Sequence, residues 1–580
     1  MLSINSRTLN LSMRYFSKLI KNIIFTKRDM SSLKLFLWEN VMFVNSVILP
    51  GEIEKKYMIT TLITIKNNTR RLNMCRKPDD TVVILLQRFA LKIQQAKVKK
   101  KINEPITDCI FLKVNGQTVP DETKCSQVFD GKNINISLEI NDKTLSVMVD
   151  LPIINDLLLG KPYKCLMLYP YAFDKGYNVS ILKSKYTWYR VKSNNVVKVG
   201  NSIAYIPSDD DIKCKLKLVC EPCNEEGHFG PTVEVLSEEV VDNIIDNYPF
   251  EKRLIDKPSN SFRVLSYNIL AEDYTKTKEA KNEMYPYCSA SILASSYRNP
   301  LLLKELTAYE ADILCLQEVE LKFFNRVLVP LLKHNFNLNG VHCKKDGNKN
   351  EGSSCFFSAD KFVMLEQFNI KLNDHVVVEM YCGPLVNAIL NDDQWKQGLL
   401  KKTVLQILLL ETRCSSKHLL LVCNTHLISD PDGDSIRLLQ SLVELAIIKK
   451  IKKTVKNHFS DRNISVIFCG DFNSTPESGV YDLVTNSLLP EEHRHCAELN
   501  NLKDKIDFKM YSAYSTKVDY SNFTQTFFGL LDYIYFTEDH LKLLQVLPMP
   551  SHEEVIENVG LPSVTFPSDH LALIADFKFK

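Results

Sequence analysis

VIFCGDFN, residues 466–473, is the stretch of sequence that decides the fold. It begins as an apolar run of the β type and ends in Asp471 and Asn473. Buried strands of roughly four to eight residues normally stop at turn residues. This run stops at groups that suit phosphoester chemistry, although Asp and Asn are also common in turns. One ending of this kind is therefore weak evidence on its own.

Five further stretches of the C-terminal half carry polar groups in the same way. They are VLSYN with Asn268, DILCLQE with Glu318, LLLVCNTH with His426, LLDYIYF with Asp532, and PSDH with Asp569 and His570. The whole series runs in order from residue 264 to residue 570. It predicts a single site assembled on the edges of packed sheets, because unrelated turns would not supply complementary groups six times.

Composition describes an ordinary globular protein that is large enough for an enzyme. The chain has 580 residues, of which 45% are hydrophobic and 24% are charged, and this length predicts more than one domain. No apolar run is long enough to cross a bilayer, so we expect no stable membrane association. The net charge of +3 does not by itself indicate a nucleic-acid partner. Cys220 and Cys223 form a CxxC that would be half of a zinc site, but no second pair completes it.

The first 30 residues have the composition of a mitochondrial transit peptide. From residue 1 to residue 28 there is no acidic residue, while Arg and Lys recur and Ser and Thr are frequent. Phe16, Leu19 and Ile23 follow helical spacing, with Arg14 and Lys18 on the opposite face. This predicts import into the mitochondrial matrix. A basic tail or a helix that lies on anionic lipid is the alternative interpretation.

The rest of the chain divides into a β-rich region, a linker and a catalytic domain. Residues 34–241 contain short β-branched runs between Asn, Asp, Gly and Pro, which predicts a mostly β, Ig-like region. Residues 242–260 are polar, contain proline, and are predicted to be a linker. Residues 261–580 hold the polar endings and are predicted to be the catalytic domain.

The polar residues divide by chemistry into two groups. Hydrolysis of a phosphodiester requires neutralised charge, an oriented water and a stabilised leaving oxygen. Oxygen ligands of the kind that Mg²⁺ or Mn²⁺ prefers are supplied by Glu318, Asp471, Asn473, Asn268 and Asp569. Two imidazoles, His426 and His570, remain for work on the phosphate, and Asp532 is placed to orient one of them. The combination predicts a metal-dependent phosphoesterase.

The motifs resemble those of a known superfamily. SYNIL, CLQEVE, EGSSCFF, CNTHL, CGDFNSTP, LDYI and PSDH are similar to the motif series of the endonuclease/exonuclease/phosphatase superfamily. YPYC, at residues 285–288, and LPMPSHEEV, at residues 547–555, resemble its deadenylase branch. The resemblance implies a four-layer α/β sandwich of two mixed sheets with outer helices. It also implies Mg²⁺-dependent removal of adenylate residues from RNA ends, either 2′,5′-linked oligoadenylate or 3′,5′-linked poly(A).

The same resemblance implies a role for each residue of the site. Glu318 is expected to be the principal metal ligand with Asn268 beside it, and Asp569 to support the metal or its waters. Asp471 is expected to activate the attacking water, which Asn473 positions. The remaining roles are phosphate contact for His426 and His570, orientation of His570 by Asp532, stacking on the terminal adenine for Pro431 and Phe527, and phosphate binding for Arg298 and Arg437.

Other functions remain open on the same core. An abasic-site endonuclease and a phosphoinositide phosphatase would use these groups with different loops, and neither explains the pair of Pro431 and Phe527. A noncatalytic RNA-binding scaffold would not need Glu318, Asp471 and His570 together. The sequence therefore favours a 3′-exoribonuclease whose partner is RNA with an adenylate end.

Overall fold

A computed structural model gives the fold of two compact units. It describes residues 41–580 except 49–53, 66–67, 99–109, 131–134, 141–142, 155–156, 172–175, 243–244, 246, 346–349, 375, 377–379, 381–401, 415–416, 490, 493–507 and 515–517. The predicted transit peptide, residues 1–30, lies outside the described residues. The first unit comprises residues up to Ile153 together with 177–179 and 222–232, and the second comprises the rest of the chain.

The first unit is built on a seven-stranded sheet. Its strands are β1 (Val41–Ile48), β2 (Lys55–Ile65), β3 (Asn68–Arg76), β4 (Ile110–Val114), β5 (Gln117–Thr118), β6 (Ile136–Ile140) and β7 (Lys143–Val149), in the order β3-β2-β1-β7-β6-β4-β5. Helices α1 (Val82–Val98) and α2 (Cys125–Phe129) contribute Val82, Phe89 and Phe129 to the core that also buries Tyr57 and Leu138 of the sheet. Helix α1 is therefore held by its apolar side.

A second β-rich segment follows in the chain. Four two-residue strands, β8 to β11, are Ile153–Ile154, Leu158–Leu159, Pro170–Tyr171 and Gly176–Tyr177. A four-stranded sheet then contains β12 (Ser180–Lys192), β13 (Asn195–Gly200), β14 (Lys215–Cys223) and β15 (Val233–Glu239), in the order β13-β12-β14-β15. Trp188 on β12 is fully buried, and its indole N–H donates to the carbonyl oxygen of Ser202 at 2.9 Å. The predicted strand content of this region is confirmed.

Two six-stranded mixed sheets form the C-terminal part of the second unit. The first, called sheet one, contains β16 (Phe262–Asn268), β17 (Ile313–Glu320), β18 (Leu338–Lys344), β19 (Glu351–Ser358), β28 (Leu541–Val546) and β29 (Leu573–Phe579). Sheet two contains β20 (Phe362–Lys371), β21 (Val404–Thr412), β22 (His418–His426), β23 (Asn463–Asp471), β24 (Tyr511–Ser512) and β27 (Asp532–Phe536). A separate hairpin pairs β25 (Asn522–Phe523) with β26 (Phe528–Gly529).

The order of strands is β18-β19-β17-β16-β29-β28 in sheet one and β20-β21-β22-β23-β27-β24 in sheet two. Within each sheet one central pair is parallel, β16 with β17 and β22 with β23, and the described flanking pairs are antiparallel. Parallel neighbours bring their C-terminal ends to one edge of the sheet. The endings at Asn268, His426 and Asp471 are therefore brought toward common edges.

Helices surround the two sheets. They are α3 (Pro249–Lys252), α4 (Glu272–Thr275), α5 (Ala290–Leu293), α6 (Ser295–Ala308), α7 (Leu321–Phe323), α8 (Val329–Phe336), α9 (Asp434–His458), α10 (Val480–Asn486) and α11 (His552–Ile556). Short π-type turns cover Ala280–Met284 and Phe324–Leu328, and 3₁₀ turns cover Asp209–Asp211 and Pro476–Ser478. In the described part of the chain, no helix has the length and apolarity needed to span a membrane.

The space between the two sheets is filled by their apolar inner faces. Val264 and Cys315 of sheet one belong to the same buried cluster as Val422, Ile467 and Cys469 of sheet two. A second cluster packs the outer face of sheet two against α9, which buries Leu438, Leu442 and Ile448. Sheets packed face to face with helices outside are the predicted architecture, and the α/β fold class is confirmed.

Candidate active site

The register of sheet two places three of the predicted side chains in one row. His426 at the end of β22 pairs with Asp471 at the end of β23, and Asp471 pairs with Asp532 at the start of β27. Residues directly opposite each other in neighbouring strands carry their side chains on the same face. His426 is 5% exposed, and both carboxylates are 1% exposed. Strand pairing therefore assembles part of the predicted site without any contribution from a long loop.

His570 completes this row through Asp532. The Nδ1 atom of His570 lies 2.7 Å from Oδ2 of Asp532, and the hydroxyl of Ser521 donates to the same oxygen at 2.7 Å. Burial lowers the pKa of His570, but the carboxylates of Asp532 and Asp471 outweigh this and raise it well above 6.5. His570 is therefore a charged imidazolium at neutral pH, with Nε2 at 3.6 Å from Oδ2 of Asp471.

His426 has the opposite electrostatic character. Its Nε2 lies 3.5 Å from the same Oδ2 of Asp471. Burial lowers the pKa of His426 well below 6.5, and the positive charges of Lys345 and His570 lower it further. Asp471 thus lies between a neutral imidazole and a charged one. Such an arrangement can orient a water and donate a proton or a hydrogen bond on the opposite side.

Sheet one supplies Asn268 and Glu318 to the same centre. The amide Nδ2 of Asn268 donates to Glu318 Oε1 at 3.2 Å and to Asp471 Oδ2 at 3.0 Å. Asn268 therefore links the ends of both sheets. The backbone N–H of Ala271 donates to the second oxygen of Glu318 at 2.8 Å, and this fixes the orientation of the carboxylate.

The backbone at Glu318 is unusual for a non-glycine residue. Its φ is 59°, and the pairing of β17 with β19 shifts register between Leu316 and Val319. A bulge with a left-handed residue redirects a side chain that regular alternation would point elsewhere. Such strain, on the order of 1–3 kcal/mol, persists where the surrounding structure holds the residue in place. The bulge is therefore an additional indication that Glu318 serves the site.

Glu318 carries negative charge that the surrounding residues do not neutralise. Burial, together with the carboxylates of Glu351 and Asp569, raises its pKa from 4.5 to about 7. Glu351, which the sequence analysis did not single out, is 3% exposed, and its Oε2 has no hydrogen-bond partner among the described residues. Buried carboxylates with excess charge and oxygen donors fit a divalent cation such as Mg²⁺ or Mn²⁺.

A different group of three is close enough for a metal ion as judged by distance alone. Ligand atoms of Asp471, Asp532 and His570 lie within 4.8 Å of one another. However, the charged ring of His570 already binds Asp532, and a protonated imidazole is not a metal ligand. The uncompensated carboxylates therefore favour Glu318 and its neighbours as the place where a cation would bind.

Asn473 and Asp569 lie in the site but are held by neighbouring groups. The backbone N–H of Asn473 donates to Asp471 Oδ1 at 2.9 Å, and its side-chain Nδ2 donates to the carbonyl oxygen of Leu427 at 3.0 Å. The phenol of Tyr285 donates to Asp569 Oδ2 at 2.7 Å. Tyr285 was not predicted as a site residue, although the YPYC motif that contains it was recognised. Ser521 was also missed, because a serine before a hairpin carries no signal in one sequence.

The two arginines predicted to bind phosphate have other partners. Arg298 is 2% exposed and donates to the carbonyl oxygens of Leu270 and Pro567 at 2.8 Å, of Leu293 at 3.1 Å and of Ile269 at 3.3 Å. Arg437 is 4% exposed and donates to the carbonyl oxygens of Asp430, Ile428 at 3.4 Å and Pro431 at 3.5 Å, and to Asp434 Oδ1 at 2.5 Å.

Phosphate binding by the two arginines stays a prediction, and their present contacts are with the protein. The guanidinium groups of Arg298 and Arg437 are buried, and most of their donors are directed at carbonyl oxygens of surrounding loops. Arg298 fixes the chain after Asn268, and Arg437 fixes the loop that carries Pro431.

Pro431 and Phe527 lie on exposed segments, as a stacking role requires. Pro431 is exposed, and Phe527 is 45% exposed. The ring of Phe527 packs over Gly529, where an added Cβ would lie 3.0 Å from the ring and 3.2 Å from Thr475. Phe528 is 62% exposed and stacks on Phe523, with ring centroids 5.7 Å apart. The joint stacking role of Pro431 and Phe527 stays a prediction.

Comparisons with known proteins agree with this geometry. Residues 265–570 match the endonuclease/exonuclease/phosphatase family. The chain is 38% identical to 2′,5′-phosphodiesterase 12 of Homo sapiens over 386 residues, which is 65% of this chain and 62% of that relative. It is 27% identical to the CCR4-Not complex 3′-5′-exoribonuclease subunit Ccr4 of Schizosaccharomyces pombe, over 56% of this chain and 51% of the relative.

A solved structure of ANGEL2, a 2′,3′-cyclic phosphatase, has 25% identity and a TM-score of 0.45, over 56% of this chain and 98% of its own. The chain thus spans less than two thirds of the length of the first two relatives. The family match covers more than half of the chain and includes each of the six polar endings. The resemblance that the motifs indicated is confirmed, and the chain belongs to the endonuclease/exonuclease/phosphatase family.

Proposed function

We propose that this protein is a cation-dependent phosphodiesterase that removes adenylate residues from RNA ends, acting on 2′,5′-linked oligoadenylate and 3′,5′-linked poly(A). The observation that carries the proposal is Asp471 between a neutral His426 and a charged His570, with Glu318 joined to it through Asn268. Phosphodiester hydrolysis needs these elements together. The similarity to 2′,5′-phosphodiesterase 12 and to an exoribonuclease supports the choice of substrate.

In the proposed reaction, a water attacks the terminal phosphorus in line with the ribose oxygen of the preceding nucleotide. Asp471 accepts the proton of this water, and Asn268 and the backbone of Asn473 keep the carboxylate in position. The bond from phosphorus to the ribose oxygen breaks. AMP leaves with the phosphate, and the ribose oxygen of the shortened chain takes up a proton from solvent and leaves as a free hydroxyl group.

The imidazoles stabilise the charge that develops on the phosphate. His570, held by Asp532, donates a hydrogen bond from Nε2 to a phosphate oxygen, while His426 contacts a second oxygen without adding charge. Glu318, with Asn268 and Asp569 nearby, would hold Mg²⁺ or Mn²⁺, whose charge neutralises the phosphate and stabilises the leaving oxygen. The terminal adenine stacks at the rim, where Phe527 is exposed.

The experiment that tests the proposal compares both linkages with purified protein in Mg²⁺. Release of AMP from 2′,5′-linked and 3′,5′-linked oligoadenylate is followed by chromatography, with and without EDTA. We expect AMP release that EDTA abolishes. Absence of release from both substrates would contradict the proposal, and an Asp471→Ala variant controls for contaminating nucleases.

The same assay separates the alternative functions. Cleavage of a duplex with an abasic site, or of a phosphoinositide, in preference to oligoadenylate would indicate a different member of the family. RNA binding without turnover by the wild type would indicate a noncatalytic scaffold. The joint presence of Glu318, Asp471 and His570 favours turnover. Buried carboxylates with raised pKa values lower the stability of the fold, and such groups are typical of functional sites.

We also propose that the protein acts in the mitochondrial matrix. The proposal rests on residues 1–30, which combine basic residues at helical spacing with a lack of acidic residues up to position 28. A fusion of residues 1–40 to a fluorescent protein is expected to enter mitochondria. Replacement of Arg7, Arg14, Lys18 and Lys21 by glutamine should leave the fusion in the cytosol, and unchanged import in that variant would contradict the proposal.

A further inference from the structure

Lys345 is a cation of the site to which no role has been given. It follows β18 directly, and its side chain is 13% exposed. The backbone N–H of Lys345 donates to the carbonyl oxygen of Glu351 at 3.1 Å, which continues the pairing of Lys344 with Gly352. Lys345 and Glu351 are therefore directly opposite each other, with side chains on the same face.

The close approach of these two strands depends on Gly352. A Cβ at this position would lie 2.1 Å from the carbonyl oxygen of Cys343 and 2.7 Å from the Cα of Lys344. No larger residue fits there without separating β18 from β19. Gly352 of the EGSSCFF motif thus allows the end of β18 to lie close to β19.

Glu351 lies close enough to the ammonium group of Lys345 to orient it, but it does not accept a hydrogen bond from it. The distance from Lys345 Nζ to Glu351 Oε1 is 3.8 Å, which is within ion-pair range and beyond a hydrogen bond. The hydroxyl of Tyr274 donates to the same oxygen at 3.3 Å, so Glu351 is itself braced. Among the residues that the structure describes, none accepts a hydrogen bond from Lys345 Nζ, so its three donors remain available to a ligand.

The positive charge of Lys345 changes the pKa values of two groups of the site, His426 and Glu318. After burial, it is the next largest cause that lowers the pKa of His426, and it also opposes the burial and carboxylate repulsion that raise the pKa of Glu318. The ammonium therefore lies near both the histidine assigned to the phosphate and the carboxylate assigned to the cation. The Nη donors of Arg298 and Arg437 are directed at carbonyl oxygens and, for Arg437, also at the carboxylate of Asp434.

We propose that Lys345 forms a phosphate subsite, in which its ammonium binds a nonbridging oxygen of the terminal nucleotide while Glu351 keeps it directed at the centre. The choice of a nucleotide phosphate rests on the proposed function. The ligand class is a phosphate monoester or diester on a nucleoside, and the same contact serves the substrate and the AMP product. Lys345 is thereby a residue that touches the substrate, and Glu351 is a positioning residue.

The experiment measures binding of AMP and of adenosine by calorimetry in Mg²⁺, because the two ligands differ only in the phosphate. In the Lys345→Met variant we expect AMP to bind about tenfold more weakly and adenosine to bind unchanged. The matched control is Lys344→Met, since Lys344 is exposed and donates to Asn350 Oδ1 at 2.8 Å. This neighbour should leave the affinity for both ligands unchanged.

Two further variants keep the outcome clear if Lys345→Met folds poorly. Lys345→Arg retains the charge and is expected to bind AMP within about threefold of the wild type, while Glu351→Gln should lose about threefold because the ammonium is no longer directed. An unchanged ratio of AMP to adenosine affinity in Lys345→Met, or an equal loss for both ligands, would overturn the subsite. If the wild type binds no AMP, the subsite is also wrong. If AMP binds normally but oligoadenylate is not cleaved, only the proposed function fails.

Discussion

Two buried clusters of charged residues in the catalytic part of the molecule are equally shielded from water and differ in how their charge is balanced. In one, Arg263 contacts both oxygens of Asp576, from Nε at 2.7 Å and from Nη2 at 2.9 Å. Gln545 donates to the same carboxylate at 2.7 Å. This cluster joins β16 to the last strand, β29, and every oxygen of Asp576 has a donor.

In the other cluster, at the sheet ends, carboxylates outnumber cations. Burial and the neighbouring Glu351 and Asp569 raise the pKa of Glu318, and Glu351 retains an oxygen without a partner among the described residues. In a structural ion pair, the groups of the protein neutralise each other. In a functional site, some charge remains for a ligand to neutralise. Unbalanced charge, more than burial, therefore identifies the site in this fold.

The largest effect should come from Glu318→Gln, which removes charge from the unbalanced cluster. We expect turnover of oligoadenylate to fall by at least about a thousandfold, which corresponds to about 4 kcal/mol. Since the pKa of Glu318 in the folded protein is raised from 4.5 to about 7, its contribution to stability is present below pH 4.5 and lost as the pH rises through 7 in metal-free buffer. The variant should therefore melt at a higher temperature than the wild type at pH 8 in EDTA.

The measurement for Glu318→Gln combines single-turnover kinetics with thermal unfolding in EDTA. Addition of Mg²⁺ should raise the melting temperature of the wild type more than that of the variant, because the cation offsets the repulsion that the variant lacks. A variant that loses activity and is also less stable without metal would show that Glu318 is structural. That result would break the distinction between the two clusters.

Asp576→Ala, in the balanced cluster, should lower the stability of the protein and leave its turnover unchanged. It leaves the guanidinium of Arg263 buried, 3% exposed for the residue, without its carboxylate. Breaking a buried pair by removing one partner costs about 3–5 kcal/mol. Urea unfolding should detect this loss, while the folded fraction retains wild-type turnover. Loss of turnover in fully folded protein would show that the two clusters are coupled.

Another buried carboxyl, that of Glu444 on α9, extends the comparison, because it has no ion-pair partner among the described residues and no place in the proposed chemistry. It is fully buried, and Thr425 Oγ1 lies 2.6 Å from Oε1. Burial raises its pKa from 4.5 to about 8. Glu444 is thus a neutral acid at pH 7, and its contribution to stability is full below pH 4.5 and is lost as the pH rises through 8.

Glu444→Gln should remove this pH dependence. At pH 9 we expect the variant to be more stable than the wild type by about 2–4 kcal/mol, since each unit of pKa displacement corresponds to about 1.4 kcal/mol and relaxation reduces the total. At pH 5 the two proteins should differ little. Urea unfolding at both pH values provides the test, and equal stability of the two proteins at pH 9 would contradict it.

The sequence predicted the parts of the molecule that depend on local pattern. Apolar runs with polar endings led to two mixed sheets and to the residues that the structure brings together around Asp471. For Arg298 and Arg437, phosphate binding stays a prediction, and one sequence does not reveal that most of their donors are used by loop carbonyl oxygens. Lys345 and Ser521 were missed for a related reason. Their positions depend on strand pairing and on a hairpin, and neither leaves a pattern in the residues themselves.

The smallest expected effect concerns Phe527, which is exposed and belongs to neither cluster of charged residues. Phe527 is 45% exposed and packs one part of its ring over Gly529, so a base can cover the rest. Phe527→Ala should raise the KM for oligoadenylate by about tenfold, since stacking contributes about 1–3 kcal/mol per base. The value of kcat should change little, because no atom of the ring meets the phosphate in the proposed reaction. Phe528→Ala is the matched control, as its ring stacks on Phe523. If both variants lose affinity equally, the hairpin acts as a folded unit and Phe527 has no separate part in adenine binding.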